Sequence, residues 1–148
     1  MIFRFLHFLG FALWMGGGWT TMALVIRSRR ESPAVRAGFA RMLPAAHAVM
    51  GGGAVLTLFG GIALTVRLAQ AGAGQALASP GKQIMMGAGM LAALLVFLVT
   101  WPASRTMARL AQGNDLPPEF EKFRKRQVIF SSIAGSLGLL ALIGATLL

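Results

Sequence analysis

The chain has 148 residues, a net charge of +10, 56% apolar residues and only 12% charged ones. A soluble domain carries about a quarter charged residues, so a soluble globular class is excluded. The absence of cysteine excludes disulfides, thiolate metal sites and covalent c-type haem attachment.

In chain order, the apolar residues fall into four runs, at 5–26, 42–66, 83–101 and 128–148. Each is long enough to cross a bilayer core of about 30 Å. The expectation is an all-α integral membrane protein, one domain over 1–148, with helices at about 2–30, 33–69, 81–101 and 119–148. Short connections between sequential spans favour an up-down four-transmembrane-helix bundle.

The first run contains "LHFLGFALWMGGGW" (6–19), almost purely apolar yet carrying one histidine. At helical spacing His7 shares a face with Phe11, Trp14, Gly18 and Thr21, a stripe of aromatic and small residues suited to a flat ligand. The run is too long for a cleaved signal peptide, lacks a small-residue cleavage motif and precedes an arginine cluster, so it is expected to be retained. The loop "RSRRESPAVRAGFAR" (27–41) holds five arginines. Within it Ser32 reads as a helix N-cap with Pro33 at the first helical position. A short amphipathic piece, 33–41, then leads into helix two, with Pro44 able to kink the junction.

The second run holds His47, whose stripe continues through Met50, Gly51, Ala54 and Gly61. Gly51, one turn on, leaves space for a ring lying along the helix. The connection "QAGAGQALASPGK" (70–82) carries a single lysine, Lys82, with Arg67 just before it. Pro102 marks the expected inner end of helix three. The last connection (105–127) holds six basic residues and three acids, with "NDLPPEF" (114–120) as a turn. The positive-inside rule therefore puts the first and third loops in the cytoplasm of a bacterial inner membrane and both termini outside. The basic loops suit anionic lipid headgroups, and no nucleic-acid partner is expected.

All four acids, Glu31, Asp115, Glu119 and Glu121, lie in the cytoplasmic loops. No carboxylate remains inside the bilayer for a coupled-ion site, a proton relay or a serine–histidine–acid triad. What remains is imidazole, hydroxyl and thioether. Neutral imidazole is the common protein ligand for iron and copper. His7 and His47 are thus candidate metal ligands. Alternatively, His7 is an interfacial anchor beside Arg4, and His47 is hydrogen-bonded to a neighbouring helix. At 1.5 Å rise per residue the two histidines differ in depth by about 20 Å. Axial nitrogens on one iron are only about 4 Å apart, so a single chain cannot put both on one haem. Two centres, one ligand, or a homodimer sharing a haem remain open. Arg4, Arg67 and Lys82 lie at the outer level of His7, where they can snorkel toward haem propionates or simply flank helix ends. The methionines can bind Cu(I), a soft ion, or serve as packing.

"RFLHFLGFALWMGGGW" resembles the first helix of a superfamily of small bacterial membrane proteins, the HemJ-type protoporphyrinogen oxidases and the CopD-type copper-resistance domains. The shared pattern is an aromatic or leucine before histidine, then "W-x-G-G" seven residues later, matched by His7, Trp14, Gly16 and Gly17. The resemblance implies a haem b ligand at His7 and a functional lysine at Lys82. The continuation "TTMALVIRS" and the last-helix start "KFRKRQVIFSS" depart from the HemJ pattern, which argues against protoporphyrinogen oxidation. His47 lies outside the pattern. The resulting expectation is a cytochrome b-like protein for electron transfer or redox chemistry on a lipid-soluble partner such as a quinone or porphyrin. Its cofactor site is drawn from His7, His47, Trp14, Gly18, Gly51, Arg4, Arg67 and Lys82. The alternatives are copper handling, or a non-catalytic packing subunit of a larger membrane complex.

Overall fold

A computed structural model describes residues 1–113 and 116–147, and every regular element among them is helical. Helix α1 spans Ile2–Arg27 and runs into a 3₁₀ turn, Ser28–Arg30. Helix α2 spans Pro33–Gln70, and a short α3, Gly74–Leu77, lies in the following connection. Helix α4, Pro80–Leu95, joins α5, Trp101–Leu110, through a π-helical turn at Val96–Thr100. Helix α6 spans Pro118–Thr146. Four helical stretches are long and apolar enough to cross a membrane: Ile2–Arg30, Pro33–Gln70, Pro80–Leu110 and Pro118–Thr146. The chain has the make-up of a multi-pass membrane protein.

The helix starts follow from local chemistry. The Ser32 hydroxyl accepts from the Val35 N–H at 3.5 Å, and Ser79 accepts from the Lys82 N–H at 3.3 Å. In both cases proline follows at the first helical position, where its missing N–H costs nothing. Gly72, with φ +77°, makes the turn that ends α2, a conformation that penalises any side chain.

Helix three does not end at Trp101 as the sequence suggested; it continues to Leu110. Pro102 lacks an N–H and its ring crowds the carbonyl one turn back. The wide turn Val96–Thr100 precedes it and absorbs both defects where a regular helix would break. Helix α2 likewise carries Pro44 in its interior rather than at a junction. Of the turn expected at 114–120, Asn114 and Asp115 lie outside the described residues.

Close packing is set by glycine. A Cβ on Gly10 of α1 would sit 2.6 Å from the Gly53 carbonyl oxygen and from the Thr57 nitrogen of α2. On Gly60 it would sit 2.9 Å from both Cβ and N of His7. Later positions of α1 therefore face earlier positions of α2. The same device joins α4 to α6, where a Cβ on Gly81 would meet the Gly144 carbonyl oxygen at 2.7 Å. With no hydrophobic drive between helices in lipid, such backbone-to-backbone approach supplies the packing. The outward faces are apolar, with Phe5, Phe8, Val55, Phe59 and Leu98 all exposed, as lipid contact requires.

The end bearing the loop at 27–41 holds the ionic contacts. Glu121 accepts from Arg124 Nε at 2.8 and 3.0 Å and from Arg36 at 3.1 Å. Arg41 donates to the Ala111 carbonyl at 2.8 Å, tying α2 to the end of α5.

Candidate functional site: the cavity at His7

Helix α1 crosses α2 with the His7 imidazole against the Gly60–Gly61 pair. Its Nδ1 lies 2.7 Å from the Thr57 carbonyl oxygen of α2. A carbonyl only accepts, so Nδ1 carries the proton and donates, and Nε2 keeps the lone pair. Nε2 has no hydrogen-bond partner among the described residues. Gly61 makes room for the ring, since a Cβ there would meet Cε1 at 3.2 Å and Nδ1 at 3.3 Å. Ring orientation and tautomer are thus set by backbone, the arrangement that tunes metal-bound histidines.

His7 lines a cavity of about 360 Å³. Phe11 and Trp14 from α1 share its wall, as do Thr57, Gly61 and Thr65 from α2 and Gly138 and Ala141 from α6. From α4 come Met85, Met86 and Met90. The volume and the largely apolar wall are those of a small-ligand site. The stripe His7–Phe11–Trp14 legible in the sequence therefore lies around one cavity. The sequence offered the methionines as Cu(I) donors or packing residues without placing them on this wall. Its signal was the i, i+4 spacing of Met86 and Met90, which says they share a face but not which helix that face meets.

The other sequence-derived residues are dispersed. Arg4 and Arg67 come together in a surface depression of about 310 Å³ near the chain start. There the Arg67 guanidinium sits 4.7 Å over the Phe3 ring, a cation–π contact. Lys82 lines neither that depression nor the His7 cavity. Gly18 lines a second cavity, of about 200 Å³, which shares Trp14 with the first. Gly51 leaves space for a ring, but the ring is the indole of Trp101, with Phe97 beside it. The macrocycle contact expected there is replaced by a protein side chain.

His47 also departs from the ligand expectation. It is fully buried, its Nδ1 donates to the Leu43 carbonyl at 3.0 Å, and its Nε2 accepts from the Gln127 amide at 2.7 Å. Both ring nitrogens are committed, and the residue lines neither cavity. This geometry fits the hydrogen-bonded alternative and does not fit axial ligation. The same Gln127 amide reaches the Ser131 hydroxyl at 3.3 Å, while its buried Oε1 has no partner.

No group of three or more His, Cys, Asp or Glu side chains capable of holding a metal ion occurs among the described residues. A centre in the His7 cavity would therefore be one that needs a single imidazole from the protein. Haem is of that kind, because its macrocycle supplies the equatorial ligands.

No family model, characterised protein or solved structure matches this chain.

Proposed function

We propose that this chain is a haem b-binding membrane protein of the cytochrome b type, in which His7 would hold the iron. The observation that carries the proposal is the His7 imidazole itself. Its Nδ1–H is anchored on the Thr57 carbonyl, its Nε2 is uncommitted, and it lines a cavity large enough for a ligand. Phe11 and Trp14 would offer flat walls, and a thioether from Met85, Met86 or Met90 would offer a further donor to the iron. Arg4 and Arg67, which line one surface depression, would pair with propionates. Bound haem would supply a one-electron carrier, to pass electrons to or from a lipid-soluble partner such as a quinone or porphyrin.

The proposal includes an up-down insertion in a bacterial inner membrane, with the arginine-rich loop inside and both termini outside. The likeness of the first helix to the HemJ- and CopD-type superfamily adds to the reading through His7, Trp14, Gly16 and Gly17. In a homodimer the second copy's imidazole would be an alternative donor to the iron.

The same cavity supports one competing reading. Met85, Met86 and Met90 beside His7 form a soft donor set suited to Cu(I), so copper handling is the second proposal. Detergent-purified protein, oxidised and dithionite-reduced, separates the two. The haem reading expects a Soret band that His7→Ala abolishes and His47→Ala retains. Colourless protein that takes up no added haem sinks it, and stoichiometric copper in that sample selects the second.

A further inference from the structure

The second cavity is built differently from the first. Trp14, Met15, Gly18, Trp19 and Met22 of α1 face Ser131, Ser132, Gly135 and Ser136 of α6, over a floor that includes Met50 and Thr100. Trp19, Ser132 and Ser136 are exposed at its edge, so it opens sideways toward the space that lipid would fill. No Asp, Glu, Lys, Arg or His lines it.

The hydroxyls mark it out. Most hydroxyls of the spanning helices are quenched on their own helix, Thr100 of the floor among them, while Thr21 reaches the Met50 sulfur at 3.8 Å. Thr20 donates to Gly16, Thr57 to Gly53, Thr65 to Gly61 and Thr100 to Val96, all at 2.8–3.2 Å. The three cleft serines do not follow this habit. Ser131 accepts from Gln127, Ser132 reaches the Met22 sulfur at 3.3 Å, and Ser136 has no hydrogen bond among the described residues. A hydroxyl left without an oxygen partner in a hydrocarbon environment is costly. Ser131 and Ser136, with uncommitted protons on one wall opposite two indoles, describe a site that donates hydrogen bonds to a flat neutral molecule.

We infer that this α1–α6 cleft binds the head group of a quinone, with its isoprenoid tail leaving past the exposed edge. Uncharged walls reject anionic and cationic ligands. Serine hydroxyls donate to carbonyl oxygens. Trp14 and Trp19 line it with their indoles, and about 200 Å³ admits one substituted ring. The inference deepens the redox reading by naming its lipid-soluble partner, and it rests on that reading for its purpose only. Trp14 lines both cavities, so this ligand would lie next to the site at His7.

The test is a titration of the protein in phosphatidylcholine nanodiscs with decylubiquinone, read by tryptophan fluorescence. The expected result is saturable quenching, weakened about tenfold in Ser131→Ala/Ser136→Ala by loss of two hydrogen bonds. Gly135→Leu, which fills the cleft, should remove the saturable component while circular dichroism reports an intact fold. If Gly135→Leu fails to fold, the serine pair alone decides. Non-saturable quenching in the parent protein overturns the inference, as does equal saturable binding of decylbenzene, which has no carbonyl. So does unchanged affinity in the serine variant. His7→Ala should bind quinone normally. A Soret band without saturable quinone binding therefore defeats this inference alone, and quinone binding without haem defeats only the proposed cofactor.

Discussion

Both histidines sit on apolar helices and both donate from Nδ1 to a helix carbonyl, yet they are left with different chemistry. His7 uses the Thr57 carbonyl of a neighbouring helix, and its Nε2 is unclaimed beside a cavity. His47 uses the Leu43 carbonyl one turn back on its own helix, and its Nε2 is taken by Gln127 across the bundle. One ring is partly exposed with a spare lone pair; the other is wholly enclosed with none. A histidine in a membrane helix is thus not a functional marker by position alone. What its second nitrogen meets decides whether it is scaffold or site.

Truncating each ring should separate the two roles most sharply. His47→Ala opens a void in a closed region and strands the Gln127 amide, costing about 3–4 kcal/mol of stability by the usual large-to-small and unsatisfied-donor terms. The fraction that still folds should keep any Soret band. His7→Ala should lose the band while the haem-free protein melts within about 1 kcal/mol of the parent, since only one partly exposed hydrogen bond is removed. Thermal melts paired with spectra check both. A His47 variant that melts normally but loses haem would reverse the assignment.

Gln127→Leu probes the same contrast with a smaller effect. It leaves His47 Nε2 buried without a donor, expected to cost about 1–3 kcal/mol. Adding His47→Leu replaces both partners with apolar side chains, and much of that loss should return. Such non-additivity in a double-mutant cycle is the signature of a structural pair. Simple addition of the two losses would show that His47 and Gln127 act separately.

The spanning helices were legible because length and hydropathy are properties of the chain in one dimension. Ser32–Pro33 announced a helix start for a local reason, a capping hydroxyl followed by a residue that needs no partner, and Ser79–Pro80 proves to use the same device. Pro102 misled because its cost depends on the turn before it, and the π turn that absorbs the cost leaves no composition signal. The candidate site was half legible. His7, Phe11 and Trp14 share a stripe by spacing, which helical geometry fixes. Met85, Met86 and Met90 join them only because α4, packed on α6, faces α1 across the cavity, and facing is not written in periodicity. Gly51 illustrates the same limit, because the sequence announces a missing side chain but not whether a cofactor or Trp101 fills the gap.

The run Gly51–Gly52–Gly53 carries this point to its smallest measurable effect. A Cβ at Gly53 would lie 2.7 Å from the Gly10 carbonyl oxygen and 2.8 Å from the Trp14 nitrogen, both backbone atoms that cannot step aside. A Cβ at Gly51 would collide with the Trp101 ring, which can shift only by disturbing Phe97. A Cβ at Gly52 would meet nothing within 4 Å. Alanine at 53 and at 51 should therefore destabilise, the former more because α1 and α2 must separate. Alanine at 52 restrains the unfolded chain without any clash and should stabilise by about 0.5–1 kcal/mol. Three neighbouring glycine-to-alanine changes with this order of melting temperatures would confirm the helix facing. Destabilisation at 52 comparable to that at 53 would mean that α2 presents a different face to α1, and the anchoring of His7 on Thr57 would have to be abandoned with it.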